Sequence, residues 1–366
     1  MYTEIVKIIE GGLLGDKEKV KNYASVLADN LEKMDEPGLA KKIKIVLTKR
    51  NPSLTSLDSF STKPVDTESR MDIVDITIPQ ISKEEIVLGR FVEDELNSFI
   101  ETYKMRDELL KVGLESSNSL LLYGPPGCGK TTVAKYVSSV TGLPLITARL
   151  DGLVSSLLGS TAKNIRKIFD YVSTRDCILF LDEFDVIAKL RDDKNELGEL
   201  KRVVNSLIQN IDSLNNNCIL IAATNHHELL DPAIWRRFSK VLTLDKPNQD
   251  EIGRLLKTLL DSYPNNILND NKKSKALELA LEGFSHSDIK TITHNAARCS
   301  VIKQRGDINF SDFLKEIYMT KFHEMGDEDD FILFLLTHGA THKEINSNFN
   351  LSLRKIQDLS KKMQEV

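Results

Sequence analysis

The residues best placed to do chemistry lie in Gly124-Pro125-Pro126-Gly127-Cys128-Gly129-Lys130-Thr131-Thr132. An apolar run, Leu120-Leu121-Leu122-Tyr123, leads into this loop, and Val133 to Val137 continue it as a helix. Phosphate binding uses that order. Glycines let backbone N–H groups close around a β-phosphate, the helix start adds its dipole, and Lys130 reaches the β- and γ-oxygens. The Thr131 hydroxyl is left to hold Mg²⁺, which completes the P-loop pattern in its strand–loop–helix context. A plain Gly/Pro turn would have to place glycines, lysine and threonine in register by accident. The loop therefore implies a nucleoside triphosphate site.

A second group of residues could perform hydrolysis. The run Cys177-Ile178-Leu179-Phe180-Leu181 reads as a buried strand, and Asp182-Glu183 emerge at its end. Paired carboxylates there are unfavourable unless they serve an ion or a reaction. Asp182 would hold Mg²⁺ and Glu183 would polarise the attacking water. Another strand, Cys218 to Ala223, ends in Thr224-Asn225, which places Asn225 beside the γ-phosphate. Next, Asp231 as N-cap and Pro232 at the first helical position start a short helix. Arg236 and Arg237 fall about one turn later, with a fork geometry that suits phosphate. Alone, such a pair reads as a solvated face.

The elements that must carry these groups alternate. Strands are expected at Leu120–Tyr123, Leu145–Ala148, Cys177–Leu181, Cys218–Ala223 and Val241–Leu244, with helices between them. That pattern predicts an α/β fold with a five-stranded parallel sheet wrapped by helices, and ligands at the carboxyl ends of its strands. Residues 1–50 read as a helical docking module and 51–80, rich in Ser, Thr, Pro and Asp, as a flexible linker. The large α/β domain is expected over 81–247, a helical lid over 248–322 and a helical extension over 323–366.

Composition narrows the setting. The 366 residues allow two or three domains, and a net charge of −5 gives no overall pull towards nucleic acid. No apolar run reaches membrane-spanning length, and the start Met1-Tyr2-Thr3-Glu4 is no signal peptide. Cys128, Cys177, Cys218 and Cys299 are widely spaced without a CxxC pair. That argues for a reducing, cytoplasmic location and against a zinc site.

The order of motifs closely resembles one family. Gly124–Thr132, Asp182-Glu183, Asn225 and Arg236-Arg237 match the Walker A, Walker B, sensor and arginine-finger elements of AAA ATPases. The stretches Lys201 to Leu207 and Gly283-Phe284-Ser285-His286-Ser287-Asp288-Ile289 support the match. The second is similar to the lid motif that closes over adenosine, which places Ser285 among the nucleotide-binding residues. His286 and Ser287 stand where the family has Gly and Ala, and His286 reads as a packing residue. The resemblance runs from roughly residue 81 to 319. It implies a P-loop NTPase that hydrolyses ATP with Mg²⁺, in a ring, usually a hexamer, whose arginines act on the neighbouring subunit's γ-phosphate.

The resemblance also implies a protein client. Leu157 and Leu158, in Ser156-Leu157-Leu158-Gly159-Ser160-Thr161, align with the central pore loop. Leu157 replaces the family's aromatic residue and buries less area. The Gly-Asp-Lys-Glu-Lys-Val start of the second helix is similar to small bacterial ATPases that accompany a subtilisin-like serine protease. Such a partner would make this chain a motor or regulator of proteolysis. Two other readings stay open. One is a nucleic-acid-dependent ATPase, because residues 341–356 have helix-turn-helix spacing with Arg354, Lys355, Lys361 and Lys362 on the second piece. The other is a switch in which ATP-driven assembly is itself the signal.

Overall fold

The computed structural model describes residues 5–7, 9, 17–33, 63–66, 70, 72–79, 86–114, 118–150, 158–186, 197–215, 217–261, 263–323 and 326–364. Within the α/β part, strands and helices alternate. They run β1 (Asp75–Thr77), α2 (Arg90–Lys104), α3 (Arg106–Lys111), β2 (Ser119–Tyr123), α4 (Lys130–Thr141), β3 (Leu145–Arg149) and α5 (Leu158–Val172). After these come β4 (Ile178–Asp182), α6 (Leu197–Asp212), β5 (Ile219–Thr224), α7 (Pro232–Trp235) and β6 (Lys240–Thr243). A helix α1 (Lys17–Lys33) precedes them, with Ala28 and Leu31 buried.

The central strands are apolar over most of their length because both of their faces are covered. Leu121, Leu179, Leu181, Leu220 and Ala222 point into one core with Ile165, Ile168 and Phe169 of α5 and Val203 and Leu207 of α6. Their neighbours Leu120, Leu122, Ile178, Phe180, Ile219 and Ile221 point the other way, onto Leu96, Phe99 and Ile100 of α2 and Val133 and Val137 of α4. Burying each such side chain contributes about 1.5–3 kcal/mol relative to exposure. The sheet is therefore clamped between two helical layers.

The strand order is β1-β3-β4-β5-β2-β6. The five strands β3, β4, β5, β2 and β6 are parallel, each within about a residue of the expected bounds. The sheet carries a sixth, antiparallel strand at its edge, where Ile76 pairs with Ile146. That strand lies in the stretch read as a linker. Beside it, Asp66 accepts from the Asn164 amide and the Val65 carbonyl accepts from Lys167 Nζ at 3.0 Å, both on α5. This segment covers a sheet edge that would otherwise expose unpaired backbone groups.

The remaining helices are α8 (Gln249–Leu260), α9 (Asn271–Ala280), α10 (His286–Ile302), α11 (Phe310–Phe322), α12 (Glu328–Thr337), α13 (His342–Phe349) and α14 (Leu353–Gln364). Reciprocal capping boxes start three of them: Asn248 with Glu251, Ser285 with Asp288, and Thr341 with Glu344. One apolar core joins all seven, from Ile252, Ile289 and Phe313 to Ile332, Ile345, Ile356 and Leu359. Lys273 Nζ on α9 donates to Glu344 Oε1 on α13 at 2.6 Å, which fastens the two groups of helices together. Among the described residues no helix is long and apolar enough to cross a membrane.

Candidate nucleotide-binding site

A cavity of about 520 Å³ opens at the carboxyl ends of the parallel strands, between the sheet and the lid helices. It brings together Pro126, Gly127, Cys128, Gly129, Lys130, Thr131, Thr132, Asp182, Glu183 and Asn225. Residues distant in sequence converge because β2, β4 and β5 are neighbours in the sheet and each ends at this rim.

The P-loop geometry explains its glycines. Gly124 has φ 144°, and a Cβ there would collide with the Leu244 carbonyl, where the chain leaves β6. Gly127 has φ 76°, and its Cβ would strike Ser285 Oγ and the Ser287 Cβ of the lid. Ser287 donates its backbone N–H to the Gly127 carbonyl at 3.0 Å, so lid and loop touch directly. Lys130 is buried and donates from Nζ to the carbonyls of Gly124 (2.7 Å) and Pro125 (2.9 Å). Burial pulls its pKa below the ordinary lysine value, opposed by the charges of Cys128, Asp182 and Asp185.

The hydrolytic group sits at the end of β4. Glu183 adopts a left-handed backbone, φ 53°, uncommon for a residue with a side chain. Its N–H donates to Asp182 Oδ1 at 3.0 Å, and Phe184 N–H donates to the Ala223 carbonyl at 2.9 Å. The turn therefore throws Asp182 and Glu183 into the cavity while Phe184 anchors below, edge-on to Phe238 at 5.9 Å. Such strain recurs where side chains must be held in place for a reaction. Across the rim, Asn225 Oδ1 is buried with no hydrogen-bond partner among the described residues.

Fit to a nucleotide follows from these atoms. The cradle at Gly127 leaves no room for a side chain, and the Asn225 oxygen is left for a group inside the cavity. Thr131 and Asp182 both line it and could hold Mg²⁺. The described residues contain no cluster of three His, Cys, Asp or Glu able to hold a metal alone. A magnesium ion held by Thr131 and Asp182 would supply positive charge beside bound phosphates.

Other residues lie elsewhere. Ser285 is buried as the N-cap of α10, its Oγ 2.7 Å from Asp288 Oδ2, and its neighbours His286 and Ser287 line the cavity instead. Gly124 and Pro125 sit at the loop's entry, tied to Lys130. No arginine lines the cavity among the described residues. Arg237 is engaged within its own chain, with Nε 3.1 Å and Nη2 3.3 Å from the Asp212 carboxylate. Arg236 is exposed, and its side chain has no hydrogen bond or ion pair among the described residues. Leu157 lies outside the described residues, and Leu158 opens α5.

Sequence reasoning missed several members. Asp185 is buried and accepts from Thr224 Oγ1 at 3.1 Å, and Thr224 Oγ1 in turn accepts from His226 N–H at 3.0 Å. The run Asp-Glu-Phe-Asp offered the signal, since it carries a third carboxylate. Ile86, Val87 and Leu88 with Leu255 and Leu259 form an apolar wall that no local pattern announced. His286, expected to pack, lines the cavity with both ring nitrogens buried, and the Val87 backbone is the acceptor that acts on its ring.

Comparison with known proteins agrees with this geometry. Residues 120–246 match the model for the ATPase family associated with various cellular activities, AAA. The chain is 37% identical over 301 residues to an uncharacterized AAA family ATPase of Sinorhizobium fredii, covering 82% of this chain and 89% of the relative. It is 32% identical over 234 residues to proteasome-activating nucleotidase 1 of Haloferax volcanii, covering 61% of this chain and 57% of that protein. The ATP-dependent zinc metalloprotease FtsH of Halothermothrix orenii is 29% identical over 241 residues, covering 64% of this chain and 38% of that protein. Taken with the P-loop and the carboxylate turn, these likenesses establish that the chain belongs to the AAA family and is an ATPase.

Proposed function

We propose that the protein assembles into a homo-oligomeric ring, a hexamer by family likeness, and uses ATP hydrolysis to remodel a protein client in the cytoplasm. The observation that carries this reading is the placement of Arg236. The cavity is lined by the P-loop, Asp182, Glu183 and Asn225, yet by no guanidinium among the described residues. Arg236 stands exposed at the end of α7, outside its own cavity. A second copy can supply it to a neighbour's γ-phosphate, and such an arginine raises turnover about 10³-fold or more.

In this reading Gly127, Gly129 and the start of α4 bind the phosphates through backbone N–H groups, and Lys130 neutralises them. Thr131 and Asp182 hold Mg²⁺, which offsets the phosphate charge. Glu183 accepts the proton of the attacking water, and the Asn225 amide orients that water. Leu157 and Leu158 contact the client, a role given to them by sequence position.

The partner is proposed to be proteolytic. Two relatives carry proteolysis in their names, the proteasome-activating nucleotidase and the metalloprotease. The likeness of the N-terminal region to ATPases accompanying a subtilisin-like serine protease supports the same class. Nucleic acid is disfavoured because Lys355 is held by Asp329 at 2.7 Å and Glu328 at 3.4 Å, and Ile356 and Leu359 are buried.

Two inactive variants test the ring. Lys130→Ala loses its own nucleotide but keeps Arg236; Arg236→Ala keeps its pocket but lacks the donor. Mixing them should restore ATP turnover that neither shows alone. A mixture as inactive as its parts would overturn action between subunits. Client capture by ATP-loaded Glu183→Gln, read by mass spectrometry, then tests for a protein partner, and recovery of nucleic acid would overturn the protein reading.

A further inference from the structure

We propose that His286 selects the nucleobase, accepting a hydrogen bond from the 6-amino group of adenine and excluding the 6-oxo group of guanine. The inference rests on the reading of the cavity as the ATP site and adds the side chain that discriminates within it.

The cavity divides by chemistry. The P-loop, Asp182, Glu183 and Asn225 account for the phosphate end, whereas Ile86, Leu88, Leu255 and Leu259 form an apolar wall suited to the flat faces of a base. His286, the first residue of α10, lines this cavity. Both of its nitrogens are shut off from solvent; neither makes a hydrogen bond of good geometry among the described residues, and the one backbone group that acts on the ring as an acceptor is that of Val87. Val87 can serve only one of the two nitrogens, and a buried nitrogen left over is unfavourable unless something else completes its bonds.

The protonation state of His286 decides what it offers. Burial lowers its pKa below the ordinary histidine value, against the opposing charge of Glu251 and a hydrogen bond to the Val87 backbone, and the N-terminal end of α10 also disfavours a cation. The ring is therefore neutral near pH 7, with one N–H donor and one lone pair. His286 also lines an adjoining cavity of about 220 Å³ that it shares with Glu251. The Glu251 carboxylate is fixed there by Asn248, whose N–H and side-chain amide donate to it at 3.0 and 2.9 Å. The Glu251 charge and the Val87 backbone acceptor both favour the tautomer that turns its single N–H towards them. The lone pair is then left for the nucleotide side. Adenine presents an amino donor to it; guanine presents a second lone pair, which repels.

The test measures affinity of the full-length chain for ATP and GTP, with inorganic tripolyphosphate as a probe of the phosphate end alone. Wild type should prefer ATP over GTP by about tenfold or more, the ratio expected from one well-formed hydrogen bond against one repulsive contact. His286→Ala should bring that ratio to within about twofold while tripolyphosphate binding persists, which also shows that the variant is folded. His286→Gln, whose amide oxygen can accept, should recover part of the preference. A wild-type ratio retained in His286→Ala would overturn the proposal, as would a wild type indifferent to the base. Failure of the wild type to bind either nucleotide, or binding that survives Lys130→Ala unchanged, would instead strike the reading of the cavity itself.

Discussion

Thr224 Oγ1 donates to Asp185 Oδ1 at 3.1 Å, which ties the last residue of β5 to the turn that follows β4. The bond brackets the reaction site: Asp185 lies two residues beyond Glu183, and Thr224 immediately precedes Asn225. The relative position of the water-activating carboxylate and the orienting amide is set by a contact to which neither belongs. Thr224→Val should remove it at a stability cost of about 1–3 kcal/mol. ATP turnover should fall between about tenfold and a hundredfold, with KM little changed, because displacement rather than loss of binding is the defect. Steady-state kinetics with thermal melting check this, and unchanged kcat would refute the coupling.

Glu183→Gln preserves shape and hydrogen-bonding reach but removes the proton acceptor. Nucleotide affinity should stay near that of wild type while kcat falls by about 10²–10⁴-fold. Single-turnover hydrolysis on preloaded protein separates the two quantities, and rapid hydrolysis would assign the base elsewhere.

The two neighbouring arginines should separate cleanly. Arg237 is bound to Asp212 and also donates from Nη1 to the Ala233 carbonyl at 3.2 Å, so it secures α7 to the end of α6. Arg237→Ala should lower stability by about 1 kcal/mol or less, since the pair is partly exposed. Arg236→Ala should leave the melting temperature alone and lower kcat about 10³-fold. The reverse pattern would exchange the roles of the two residues.

Stability of the helical part should depend on acid through Glu344. Its carboxyl is partly buried, which alone would raise the pKa, but bonds from Lys273 and Thr341 win and hold it below the ordinary value of 4.5. The unfolded chain therefore binds the proton more readily, and stability rises with pH across the interval between the folded and unfolded values. The contribution is whole above pH 4.5 and disappears as pH falls through the lower, folded value. Glu344→Gln should melt on the order of 2–4 °C below wild type near neutral pH. That difference should shrink on acidification, and a gap independent of pH would exclude the linkage.

How far the sequence foretells such features depends on the distance over which they are specified. The parallel strands are legible because Leu120–Tyr123 and Ile178–Leu181 are apolar at every position, the mark of burial on both faces. The phosphate loop is legible because its glycines, lysine and threonine are needed at fixed spacing. Asp75–Thr77 is not, since three residues hold no periodicity and the pairing with Leu145–Thr147 joins distant parts of the chain. His286 and Asp185 were also hidden. Their significance comes from α10 folding against the P-loop and from β5 lying beside β4, neither of which is written near the residues themselves.

The single apolar core running from Ile252 to Leu359 has a mechanical meaning. Helix α14 packs on α12 and α13, which pack on α11, so it cannot turn without drawing Ile356 and Leu359 into water, and the seven helices are coupled through one core. One end of this unit rests on the phosphate loop, where Ser287 meets Gly127 at 3.0 Å, and the other end is the terminal helix. A rotation imposed at the loop would therefore carry the terminal helix with it rather than be absorbed between helices.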